Sequence, residues 1–113
     1  MPYIAINTSK TLSDSQKDAL KTALGDKITV IPGKSESKLM IDIADGRAMY
    51  FAGEKRDLAF VEVRCLGTTE FVNKKAFTEA AFLAVQETTG LPQDAIYLNY
   101  SEFEHWGAMG SMK

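Results

Sequence analysis

Leu58-Ala59-Phe60-Val61-Glu62-Val63-Arg64-Cys65-Leu66 is the stretch that decides the fold. Phe60, Glu62 and Arg64 alternate there against Ala59, Val61 and Val63, the period of two that a half-buried strand requires. Downstream, Glu70 to Thr88 reads as a helix, with Phe77, Ala80, Ala81 and Ala84 on one side and Phe82 and Val85 near it. Gly90 stands where a helix C-cap glycine belongs, and Pro92 follows. Ala95 to Tyr100 is β-branched and aromatic and reads as the next strand. This half of the chain is therefore a β-α-β unit.

The first half repeats the order. Tyr3 to Thr8 reads as a strand beginning at the first residues. Ser13-Asp14-Ser15-Gln16 has capping-box form, and Leu20, Leu24, Ile28 and Ile31 then mark one apolar helical face. Gly25 weakens that helix by about 1 kcal/mol relative to alanine, and Pro32-Gly33 is expected to end it. Leu39 to Ile43 is a strand, Asp45-Gly46 a turn signal, and Ala48 to Phe51 a short strand after it. The tail from Glu102 is mixed.

Two β-α-β units imply parallel pairs, because each helix is long enough to cross over. The expected fold is a two-layer α+β arrangement within the α/β class. It has a four-stranded mixed sheet, additional short strands, and both helices on one face. The opposite face needs cover, with Tyr3, Ile41, Ile43 and Val61 as candidates, and association between subunits would supply it. No linker or low-complexity segment divides residues 1–113, so the reading is one domain.

Composition narrows the function classes. The formal net charge is -2, and no basic tract is longer than Lys55-Arg56, which Glu54 and Asp57 flank; this argues against nucleic acid. Cys65 is the sole cysteine, so no internal disulfide forms and a reducing compartment fits. Met1-Pro2-Tyr3-Ile4 has no signal-peptide character, and no apolar run is long enough for a membrane span. The expectation is a cytoplasmic protein. His105, the only histidine, has no second histidine or cysteine neighbour, so no metal role is read.

Several features occur together in order: Pro2 before a strand, Gly33-Lys34 after the first helix, and Cys65-Leu66-Gly67 at the end of the central strand. Ile96-Tyr97-Leu98-Asn99-Tyr100 follows a Leu-Pro-Gln-Asp turn, and Met49-Tyr50-Phe51-Ala52-Gly53 completes the set. This pattern resembles the macrophage migration inhibitory factor and phenylpyruvate tautomerase branch of the tautomerase superfamily, over nearly the whole chain.

The resemblance implies a homotrimer with active sites between subunits, and keto–enol tautomerisation of small 2-oxo acids such as phenylpyruvate without metal or organic cofactor. Pro2 would be the base, as a secondary amine exposed when Met1 is removed. A free α-amino group titrates at about 7.7–8.0, and apolar surroundings or a nearby cation lower that value. A base near neutral pH is suited to taking a proton from carbon beside a carbonyl. By the same resemblance, Lys34 and the backbone N–H of Leu66 would bind the substrate carboxylate. Tyr97 and Asn99, two apart on one strand face, would come from the neighbouring subunit. Trp106 and Met109 would be apolar walls.

The chain also departs from the family pattern. Ser35 replaces the usual proline, Lys38 an aromatic, and Ala59-Phe60-Val61-Glu62 the Cys-x-x-Cys of some members. Cys65 therefore reads as a packed strand residue. In the tail, Trp106 is displaced and the terminal phenylalanine is missing. Two other functions stay open at this point. One is a cytokine-like protein-binding factor with incidental tautomerase activity, exported by a non-classical route. The other is isomerisation of unsaturated oxo-dicarboxylates, for which Lys38 beside Lys34 would suit a second carboxylate.

Overall fold

A computed structural model describes residues 1–113. Its elements are β1 (Pro2–Thr8), α1 (Asp14–Lys27), β2 (Met40–Ala44), β3 (Tyr50–Phe51), β4 (Glu54–Lys55), β5 (Ala59–Leu66), α2 (Phe71–Thr89), β6 (Ile96–Phe103), β7 (Gly107–Ala108) and β8 (Ser111–Met112). The main sheet has the order β2-β1-β5-β6. β1 runs parallel to β2 and β5 parallel to β6, and β1 and β5 join the two units antiparallel. The doubled β-α-β order thus produces the mixed four-stranded sheet expected from it.

Register explains the core. Ile4 and Ile6 lie opposite Val63 and Val61 on β5, and opposite Ile41 and Ile43 on β2. This row shares one sheet face and packs with Leu20, Leu24 and Ile28 of the first helical segment and Phe77, Ala81 and Val85 of α2. Of the four residues expected on the opposite face, only Tyr3 is there. Ile41, Ile43 and Val61 have the parity of Ile4 and belong to the helix side. The open face is mixed rather than apolar: the Tyr3 hydroxyl donates to Asp42 at 3.1 Å, and Arg64 lies 3.6 Å from Glu62.

Local chemistry sets the helix ends. Ser13 accepts from the Gln16 N–H while the Gln16 side chain accepts from the Ser13 N–H, closing the capping box. The α-helix stops at Lys27, earlier than Pro32-Gly33 implied; Ile28–Val30 tighten into a 3₁₀ turn that still buries Ile28. Gly90, at φ 76°, makes the left-handed C-cap of α2. Gly25 is buried in α1 where a Cβ would collide with the carboxylate of Glu36. Its missing side chain leaves room for the Glu36 side chain, which belongs to the 3₁₀ turn Glu36–Lys38 bordering the site.

Two hairpins differ from the sequence reading. β3 pairs with β4 through Ala52-Gly53 and not with β2 across Asp45-Gly46. Asp45 instead uses its carboxylate to accept the Leu12 N–H at 2.9 Å. The tail is a second hairpin, β7–β8, turning at Met109-Gly110. Both turns carry positive φ at both central residues, 53° and 80° in each case, as a two-residue hairpin of the I′ kind requires.

Candidate active site

Pro2 heads β1 opposite Cys65 on β5. A proline has no N–H for the ladder, so the first position of a strand is where it fits. Its side chain is fully buried, and it borders a cleft of about 780 Å³ at this end of the sheet. The 3₁₀ turn Glu36–Lys38 and the tail hairpin form the rim, with Lys38, Trp106 and Met109 among the lining residues. Trp106 is held edge-to-face against Phe103, with centroids 6.0 Å apart.

Lys34 follows the left-handed Gly33 and reaches across to β5, where its Nζ donates to the Leu66 carbonyl at 2.9 Å. An ammonium has three donors, so two remain for a ligand. The Leu66 N–H meets the Met1 carbonyl in a long hydrogen bond of 3.4 Å. That carbonyl is part of the Met1–Pro2 peptide, so the bond and the peptide that blocks Pro2 would leave together.

Burial, then the charge and hydrogen bonding of Lys34, hold the α-amine of Met1 below its ordinary value of 8.0; Lys38 adds to this and Cys65 opposes it. Burial pushes the Cys65 thiol up despite Lys34, so it stays protonated and packed. The loop after Leu66 is tied down by Glu102, whose carboxylate accepts from Lys74 Nζ and from the Thr69 N–H, each at 2.6 Å. The Lys74 hydrogen bond, ahead of the Thr69 N–H, holds the Glu102 carboxyl below its usual range.

Pro2, Lys34 and Leu66 thus come together, and Trp106 stands on the rim of the same cleft. Tyr97 and Asn99 do not join them within one chain. Tyr97 lies opposite Phe60, while Pro2 lies opposite Cys65, itself opposite Glu102. Five residues of strand separate the two levels, roughly 17 Å. Tyr97 packs edge-on against Phe51 at 5.8 Å and Phe60 at 6.4 Å, and is 55% exposed. Asn99 is exposed on the same face.

Sequence reasoning overlooked Arg64, which lines the cleft. The signal was there: alternation along β5 puts Arg64 on the same face as Leu66 and away from Val63 and Cys65. It also overlooked the Glu102–Lys74–Thr69 cluster, which depends on a contact between β6 and the start of α2 that periodicity cannot supply.

Relatives place this geometry. No curated protein matches the chain in sequence. Among solved structures, Leishmania major MIF2 superposes with a TM-score of 0.93 at 26% identity, covering 100% of this chain and 97% of that one. The macrophage migration inhibitory factor homologue from Prochlorococcus marinus gives a TM-score of 0.87 at 25% identity, over 97% of both chains. A fused 4-OT protein, described as a symmetric trimer, shares the fold at a TM-score of 0.81 and 20% identity, over 89% of this chain and 85% of that one. The family described as Macrophage migration inhibitory factor (MIF) matches residues 1–112. A chain that carries this sheet, this site and that match from end to end belongs to the macrophage migration inhibitory factor family, in the tautomerase superfamily.

Proposed function

We propose that the protein is a keto–enol tautomerase of small 2-oxo acids such as phenylpyruvate, with the Pro2 amine as its base once Met1 is removed. The observation that carries this reading is the meeting of three groups: buried Pro2, Lys34 on the Leu66 carbonyl, and the Met1 carbonyl on the Leu66 N–H. Without Met1, Lys34 and the Leu66 N–H are left facing the space its carbonyl held. A substrate carboxylate there gains charge-assisted hydrogen bonds from both. The amine takes a proton from C3, the C–H pair becomes the C2–C3 double bond, and the carbonyl oxygen gains charge. The proton is then returned to that oxygen, giving the enol; ketonisation runs the same path backwards. Lys34 stabilises the developing enolate.

The second half of the pocket comes from a neighbouring subunit in a homotrimer, where Tyr97 supplies an aromatic wall and Asn99 binds a ring hydroxyl. Support comes from the exposure of Tyr97 at the sheet end remote from Pro2, and from the symmetric trimer formed by a protein of the same fold. No organic cofactor or metal takes part in this mechanism. The test is phenylpyruvate tautomerisation by protein whose intact mass shows Met1 removed. Turnover should be reduced in Pro2→Ala without unfolding the chain. Full activity after acylation of the Pro2 amine would overturn the reading.

A further inference from the structure

β5 ends at Leu66, and the chain turns out of the sheet through Gly67, at φ 87°. Glycine suits that geometry but adds no stiffness, so the restraint has to come from partners. The Leu66–Gly67 peptide is held at both ends. Its carbonyl accepts from Lys34 Nζ at 2.9 Å, and its N–H donates to the Phe103 carbonyl on β6 at 2.8 Å. Two residues on, the Thr69 N–H donates to one oxygen of the Glu102 carboxylate and Lys74 Nζ to the other, each at 2.6 Å. Gly67, Thr68 and Thr69 make no other hydrogen bond. The Lys74–Glu102 pair is largely shielded from solvent, with side-chain exposures of 25% and 23%, so it is a stronger tie than an open surface pair. It stands level with the site: Glu102 lies opposite Cys65, and Cys65 opposite Pro2.

We propose that Glu102 is a positioning residue: by clamping the loop 67–69 through the Thr69 N–H and Lys74, it fixes the Leu66–Gly67 peptide, and with it the Lys34 ammonium that receives the substrate carboxylate. This rests on the proline-base reading, in which that carboxylate sits on Lys34 and the Leu66 N–H. Glu102 touches no substrate itself and acts through the loop. Its charge has the opposite effect. The Lys74 hydrogen bond, the Thr69 N–H and then the charges of Lys74 and Lys34 hold the Glu102 carboxyl below its usual range, so Glu102 and Lys34 feel one another. A carboxylate near the anchoring lysine disfavours a second anion there. Position and charge therefore predict opposite changes in affinity when Glu102 is replaced.

The experiment uses protein freed of Met1, as wild type, Glu102→Ala, Glu102→Asp and Glu102→Gln. It measures kcat and KM for phenylpyruvate, and the Kd of pre-equilibrated phenylpyruvate by titration calorimetry. Glu102→Ala should raise KM and Kd about three- to tenfold, the size of one lost hydrogen bond, with kcat within about twofold. Glu102→Asp keeps the charge but is one carbon too short for the Thr69 N–H, and should behave like the alanine variant. Glu102→Gln loses the charge but keeps an acceptor for that N–H, and should restore most of the affinity. A general loss of structure would instead lower the amount of active protein, and so kcat, and leave KM in place. Weaker binding in the alanine and aspartate variants upholds the proposal even if no form turns substrate over, and in that case it is the proline base that fails. Tighter binding in Glu102→Ala and Glu102→Gln would mean that charge outweighs position and would overturn the proposal while leaving the base standing. Unchanged KM and Kd in both Glu102→Ala and Glu102→Asp would overturn it as well.

Discussion

Lys34 uses one donor on the Leu66 carbonyl and keeps two, which in the proposed mechanism makes it both an anchor for the carboxylate and, as a neighbouring cation, a brake on protonation of the Pro2 amine. Lys34→Ala should therefore have two readouts. Loss of a charged hydrogen bond should lower kcat/KM for phenylpyruvate about 10- to 100-fold, chiefly through KM, with kcat falling too if the enolate is stabilised. The pH profile should also move. The base acts only when unprotonated, so activity falls as pH drops through the amine pKa, and that acidic limb should lie below the free α-amino range, because burial and the Lys34 cation both disfavour the protonated form. Removing the Lys34 cation should shift the limb upward, because a nearby positive charge disfavours the protonated amine. A limb that stays put would separate Lys34 from the base. Pro2, Lys34 and Leu66 were singled out by the family resemblance, and the fold brings the three together. For Arg64 alternation gave the sheet face but not the cleft, because what a strand's outer face borders depends on the turn 36–38 and the tail hairpin, which come from elsewhere in the sequence.

At the scale of elements, periodicity and caps were readable and tight turns were not. The capping box at Ser13 and the C-cap at Gly90 appear where their residues announce them. Both hairpins were missed because Ala52 and Met109 give no hint that they adopt φ 53°, a conformation costing most L-residues about 1–2 kcal/mol. Ala52→Asn should recover part of that cost and stabilise the protein by about 0.5–1 kcal/mol in urea unfolding. No gain would mean that the β3–β4 turn is not in this conformation in solution. Gly90→Ala should cost about 1 kcal/mol for the opposite reason, a side chain forced into left-handed geometry at φ 76°. Phe77→Ala should cost about 3–5 kcal/mol, since that ring is fully buried between α2 and the sheet. A loss below 1 kcal/mol would contradict the packing described.

At the scale of the whole molecule, sequence supplied the architecture but misjudged the open sheet face. Parity along β1, β2 and β5 sends Ile41, Ile43 and Val61 to the helices and leaves Tyr3–Asp42 and Arg64–Glu62 outside. An apolar face is therefore not what would drive association; exposed Tyr97 and Phe103 along β6 are the candidates for contact. Light scattering should give three times the chain mass at micromolar concentration, and a stable monomer would remove Tyr97 and Asn99 from the site. The central claim is that the site is built around an amine at Pro2 that the Met1 peptide masks. Its most direct test compares protein with Met1 retained and with Met1 removed, each verified by intact mass, in phenylpyruvate tautomerisation. The account predicts turnover by the processed form alone, with an acidic limb below the free α-amino range. Equal turnover by the form that keeps Met1 would contradict it.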